Sequence, residues 1–157
     1  MLISKIELAK APECEPILLV MLNFNNEDRF WVAFGGAFMG LSVLLAAFGR
    51  HGLESAELQM RWGIAIQYLR FMAAGIMGMT TLRCLFHASP TTPWSERTLF
   101  LGAMAFSGTL IAECIWPKAS WVATIGIVAP GGGMLMIISW LVFVFQFIRA
   151  TRPLRPE

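Results

Sequence analysis

Between Phe30 and Phe48, and again between Ala119 and Ile148, the chain carries no charged side chain. The first run is 19 residues long and the second 30. At about 1.5 Å of rise per helical residue, the first alone covers the ~30 Å hydrocarbon core of a bilayer. Continuous apolar runs of this length read as helices, which satisfy their own backbone groups in lipid. The chain has 12 Lys and Arg and 10 Asp and Glu in 157 residues, and 12 of these charges fall before Phe30 or after Ile148. A mean hydropathy of +0.64 excludes a disordered chain and argues against an ordinary soluble domain. The net charge of +2 comes from scattered Arg rather than a basic stripe, so no nucleic-acid partner is expected.

Four spans follow. Span one is Phe30 to Phe48, ended by Gly49-Arg50-His51-Gly52 and a polar stretch to Arg61. Span two runs from Trp62 to Phe86, interrupted by Arg70 and closed by Arg83. A turn-rich segment, His87 to Arg97 with Pro90 and Pro93, leads to span three, Thr98 to Trp116. Pro117-Lys118 ends it, and Ala119 to Ile148 is one long fourth span with Pro130, Gly131, Gly132 and Gly133 near its middle, where a break or kink is expected. Trp31, Trp62, Trp94, Trp116 and Trp121 lie at or near these boundaries, as an interfacial aromatic belt requires. The expected fold is an all-α integral membrane protein, a four-transmembrane-helix bundle with a Pro/Gly-broken fourth helix. Residues 1–29 form an N-terminal extension, cytoplasmic and partly disordered; residues 30–148 form the membrane domain; residues 149–157 form a basic tail.

With an even number of spans both termini share a side. That side receives Arg29, Arg83, Arg97, Arg149, Arg152 and Arg155, against Arg50, Arg61 and Lys118 opposite, which places both termini in the cytoplasm. The apolar stretch Ile17 to Leu22 is too short for a signal-peptide core, and no cleaved signal is expected. A start at Met21 instead of Met1 would lose no span.

Lipid tails give helices no hydrophobic reason to associate, so small residues four apart mark packing faces. Ala33 with Ala37, Gly36 with Gly40, Ala74 with Gly78 and Ala103 with Ser107 are such pairs. They serve packing within a monomeric bundle, or, at Gly36 and Gly40, docking against a second copy or a partner.

An ionisable group inside a span costs about 2.5 to 3.5 kcal/mol on insertion scales and is usually turned inward and paired. Arg70 in span two and Glu113 in span three are expected to form such a pair, with Gln67 and Tyr68 adding polarity near Arg70. Pro130 would free the carbonyl of Gly126. Together these groups would line a polar pocket, or simply staple and kink the bundle. Cys14, Cys84 and Cys114 share no metal or redox spacing, and His51 and His87 fall at opposite ends. There is no GxSxG elbow and no phosphate loop, since no Lys-Ser/Thr follows Gly131 to Gly133. Neither catalysis nor a cofactor nor a metal is expected.

The order of Ala46-Ala47-Phe48-Gly49-Arg50-His51-Gly52-Leu53, Trp62 with Gln67-Tyr68, Phe106-Ser107-Gly108-Thr109-Leu110, and Pro130-Gly131-Gly132-Gly133 with Ser139-Trp140 resembles the domain of unknown function 423 family of YgdD-like inner-membrane proteins and transmembrane protein 256. The likeness covers Trp31 to Ile148. It implies a multi-span helical protein of the bacterial inner membrane, with no activity, substrate or cofactor attached. The family pattern has Ala-His-Gly where this chain has Arg50-His51-Gly52, and a His in span two where it has Met72. Any proton-handling role of that His would not carry over to Met72.

The expected function is that of a structural or accessory subunit, associating with itself or with a larger membrane assembly. The alternative is a small-solute or ion conduit lined by Arg70, Glu113 and the Pro130 break.

Overall fold

The computed structural model describes residues 24–85 and 93–150. Most of the expected N-terminal extension, Cys14, His87 and the basic tail with Arg152 and Arg155 lie outside the described residues. Those described form helices and the short segments joining them: α1 Asn26–Gly52, α2 Ala56–Leu85, α3 Trp94–Ile115, α4 Ser120–Ile125 and α5 Val128–Ala150.

Helix α1 begins a turn earlier than the charge-free run. Asn25 caps it: its Oδ1 accepts the Asp28 N–H at 2.8 Å, and Asp28 Oδ2 accepts the Asn25 N–H at 3.2 Å, a reciprocal capping box. Glu27 and Asp28 in the first turn and Arg50 and His51 in the last suit the helix dipole. The polar turn Asn26–Arg29 therefore belongs to the first helix and not to an extension. Helix α3 likewise begins at Trp94, directly after Pro93, which draws Ser95 and Glu96 out of the expected loop and into the bundle.

The fourth apolar run is broken, but upstream of the expected place. Pro130 to Gly133 are helical, in the opening turns of α5, where a missing proline N–H is tolerated. The break falls at Gly126 and Ile127. Proline at 130 cannot donate to the carbonyl four residues back, so the Gly126 oxygen takes the Ala129 N–H at 3.3 Å instead and the helix interrupts there.

Successive long helices run antiparallel, α1 packing on α2, α2 on α3, and α3 on α5. The core is centred on α2, through Ile66, Leu69, Met72, Ile76 and Met79, with Trp31 from α1, Leu99 and Ala103 from α3 and Met136 from α5. Phe34 meets Phe100 edge-on at 5.1 Å, tying α1 to α3; such pairs are worth about 0.5–1.5 kcal/mol beyond area burial. Among the described residues three helices, α1, α3 and α5 to Arg149, are long and apolar enough to cross a membrane. Helix α2, expected as a span, is not one of these, because Gln67 and Arg70 interrupt its apolar run. Its inner face, packed between α1 and α3, supplies much of the buried core.

Candidate functional site

The ionisable groups sort by depth and by end. At the end holding the start of α1 lies a buried cluster contributed by three helices. Arg83 Nη2 of α2 donates to Asp28 Oδ1 of α1 at 2.6 Å, and its Nε stands 3.3 Å from Glu96 Oε1 of α3. Asp28 is 4% exposed and Glu96 1%. The Thr80 hydroxyl donates to Glu96 Oε1 at 3.3 Å and the Ser95 hydroxyl to Oε2 at 2.8 Å. Helix α5 joins one layer away, where Ser139 Oγ donates to the Ser95 carbonyl at 2.6 Å. A buried charge persists only when paired and hydrogen-bonded, and each carboxylate here has both kinds of partner. At the outer edge of the same end, Arg97 reaches Glu27 at 2.7 Å in an exposed pair.

The ion pairs of the opposite end are more exposed. Arg61 bridges Glu57 at 2.8 Å, one helical turn away, and Glu113 of α3 at 3.3 Å. Trp62, buried beside them, donates its Nε1–H to the Leu45 carbonyl at 2.7 Å and seats its ring on Gly49, where a side chain would collide with it.

Glu113 thus pairs with Arg61 and not with Arg70. The two arginines are nine residues apart on α2, about 13 Å along the axis, and only Arg61 lies at the level of Glu113. Arg70 faces α1 instead: its Nε donates to Ser42 Oγ at 3.3 Å, and the buried Ser42 hydroxyl donates on to the Met39 carbonyl at 2.7 Å. Tyr68 turns the other way, onto Phe106 at 4.6 Å, and lines a cleft of about 470 Å³ between α2, α3 and α5 with Met72, Gly133 and Trp140. Gln67 is exposed and lines neither this cleft nor the groove around Arg70. The four residues expected to share a pocket are therefore distributed over different faces.

The Pro/Gly motif does contact work. Gly132 of α5 packs on the backbone of α3 at Gly102 and Phe106, while Gly131 meets nothing within 4 Å and Gly133 only the edge of Phe106. Gly36 and Gly40 point away from the bundle, where an added methyl would meet nothing within 4 Å. Cys84 and Cys114 are buried on different helix ends, and among the described residues no group of three His, Cys, Asp or Glu is placed to hold a metal ion.

The Asp28–Arg83–Glu96 cluster escaped sequence reasoning. Two signals pointed to it: the Asn25-x-x-Asp28 spacing of a capping box, and the fact that an alternating helix topology brings Asp28, Arg83 and Glu96 to one end.

The sequence matches, over residues 45–133, the family described as Protein of unknown function (DUF423). The chain belongs to that family. The DUF423 match runs from the last turns of α1 to Gly133 of α5, so it includes Arg61, Arg70, Arg83, Glu96, Glu113 and the Gly102–Gly132 contact, and leaves Asp28, Gly36 and Gly40 outside. The chain is 32% identical over 105 residues to a UPF0382 membrane protein of Schizosaccharomyces pombe, covering 64% of this chain and 86% of the relative. It is 32% identical over 124 residues to a UPF0382 membrane protein of Staphylococcus saprophyticus, covering 74% and 94%. To the UPF0382 membrane protein YwdK of Bacillus subtilis it is 27% identical over 125 residues, covering 77% and 98%. No solved structure matches. This is a helical membrane protein of an uncharacterised family.

Proposed function

We propose that the chain is a small, non-catalytic structural or accessory subunit of a bacterial inner membrane, acting by helix contact with a second copy or a larger membrane assembly. The observation that carries this reading is the division of labour among the glycines of α1. A methyl at Gly35 would stand 2.9 Å from the Ala73 carbonyl, so that glycine is spent on packing against α2. Gly36 and Gly40 meet nothing, and with exposed Ala33 and Ala37 they make a small-residue patch on the outer face. In lipid, helix association depends on such close approach of backbones. The bundle axis itself is filled by Ile66, Met72, Ile76 and Leu99, each fully buried, which favours a packing role over passage of a solute through one chain.

In this reading α2 is the fourth span, packed on α1 and α3. Arg29, Arg83, Arg97 and Arg149 lie toward one side and Arg50, Arg61 and Lys118 toward the other, which supports cytoplasmic termini. Extraction in mild detergent followed by native mass determination tests the proposal. The expected result is a defined oligomer or stoichiometric complex that Gly36→Leu or Gly40→Leu dissociates into folded monomer. A wild-type chain that extracts as a monomer with no stoichiometric companion overturns it.

A further inference from the structure

On the outer side of the bundle, between the C-terminal half of α1 and the N-terminal half of α2, lies a groove of about 480 Å³. Arg50, Gln59, Met60, Trp62, Ile66 and Arg70 line it. Two guanidinium groups face one space, and no carboxylate lines it. Among the described residues neither Arg50 nor Arg70 makes an ion pair, whereas Arg61, Arg83 and Arg97 are all bound to carboxylates. Two like charges sharing a groove of reduced dielectric repel each other, and an arginine within a span is ordinarily partnered.

Of the Arg70 guanidinium, the buried Ser42 hydroxyl accepts from Nε alone, so both Nη groups remain available. Side chains on a helix lean toward its N-terminus, so Arg70 leans from its depth on α2 toward the membrane end where Arg50 sits. Trp62 is a wall and not a donor here, since its N–H is committed to Leu45. Ala46, Met60 and Ile66 give the groove an apolar part beside the amide of Gln59.

We propose that this groove binds the phosphate group of an anionic phospholipid, with Arg50 and Arg70 donating to its oxygens and the acyl chains running from there toward the bilayer centre. A planar guanidinium matches a phosphate bidentately and is weakly hydrated, which suits it to a site at the edge of lipid. The apolar half of the groove selects a lipid over free phosphate. This site is separate from the Gly36–Gly40 face, so it stands or falls independently of it.

The full chain, reconstituted in phosphatidylcholine vesicles containing a minority of phosphatidylglycerol and then released into mild detergent, is examined by native mass spectrometry. Wild type is expected to retain phosphatidylglycerol in preference to phosphatidylcholine. Arg50→Gln and Arg70→Gln are each expected to reduce that retention by roughly tenfold or more, the loss of one strong interaction. Arg70→Lys retains part of it, and Arg97→Gln, at the opposite end, leaves it unchanged. The Arg50 side chain makes no hydrogen bond or ion pair with the described residues, so its variant tests the site even where Arg70→Gln disturbs folding through Ser42. Equal retention of both lipids by wild type, undiminished retention in Arg50→Gln, or release of the lipid by inorganic phosphate would each overturn the proposal.

Discussion

Gly102 of α3 and Gly132 of α5 meet backbone to backbone. A methyl on Gly102 would stand 2.8 Å from the Gly132 carbonyl oxygen, and one on Gly132 would stand 2.7 Å from the Gly102 carbonyl oxygen. Alanine at either position must push the two helices apart, an overpacking cost of about 1–3 kcal/mol. Gly102→Ala and Gly132→Ala are therefore expected to lower the thermal unfolding midpoint in mild detergent. Gly36→Ala, on the open face, is expected to be neutral or to stabilise by up to about 1 kcal/mol through helix propensity.

Arg83 separates two buried carboxylates. Arg83→Met leaves Asp28 and Glu96 without their cation, and breaking a buried ion pair from one side costs about 3–5 kcal/mol. Arg97→Met removes an exposed pair and should cost no more than about 1 kcal/mol. Denaturant titration of the two variants, side by side, measures the contrast.

Charge reversal distinguishes Arg61 from Arg70 as the partner of Glu113. The double variant Arg61→Glu with Glu113→Arg is expected to recover part of the stability that each single variant loses. Arg70→Glu with Glu113→Arg is expected to recover none. Because Arg61 and Glu113 are partly exposed, with side chains 45% and 24% accessible, the coupling energy in a double-mutant cycle should be small, about 0.2–1 kcal/mol.

Trp62→Phe keeps most of the ring against Gly49 and deletes the hydrogen bond to the Leu45 carbonyl. A net loss of about 0.5–1.5 kcal/mol is expected from one such bond. An unchanged unfolding midpoint would mean that the α1–α2 junction relies on ring packing alone.

The apolar runs are visible in sequence because hydropathy is a local property, and α1, α3 and the α4–α5 segment fall where the apolar stretches place them. Their ends are set by side chains just outside those stretches: Asn25 with Asp28 for α1, and Pro93 for α3. Hydropathy is blind to both. The proline at 130 is easy to see, yet its effect appears four residues upstream, at the carbonyl it cannot serve. The polar contacts were the hardest to read. Arg83 and Asp28 are 55 residues apart in the chain, and no periodicity links them. Counting residues inward from a tryptophan resolves depth but not which way a side chain turns, and so it could not separate Arg61 from Arg70 as the partner of Glu113.

The place of α2 bears on how the protein is made. The described helix with the weakest claim on lipid follows α1 in the chain, and Arg70 alone weighs against its insertion by about 2.5–3.5 kcal/mol at mid-helix. The groups that shelter it arrive at different times: Ser42 has already emerged with α1, but Ser95, Glu96 and Leu99 belong to α3. In the proposed four-span arrangement, α2 would gain its contacts with Glu96 and Leu99 only once α3 follows it in the chain, so its packing would be completed after its own passage into the membrane.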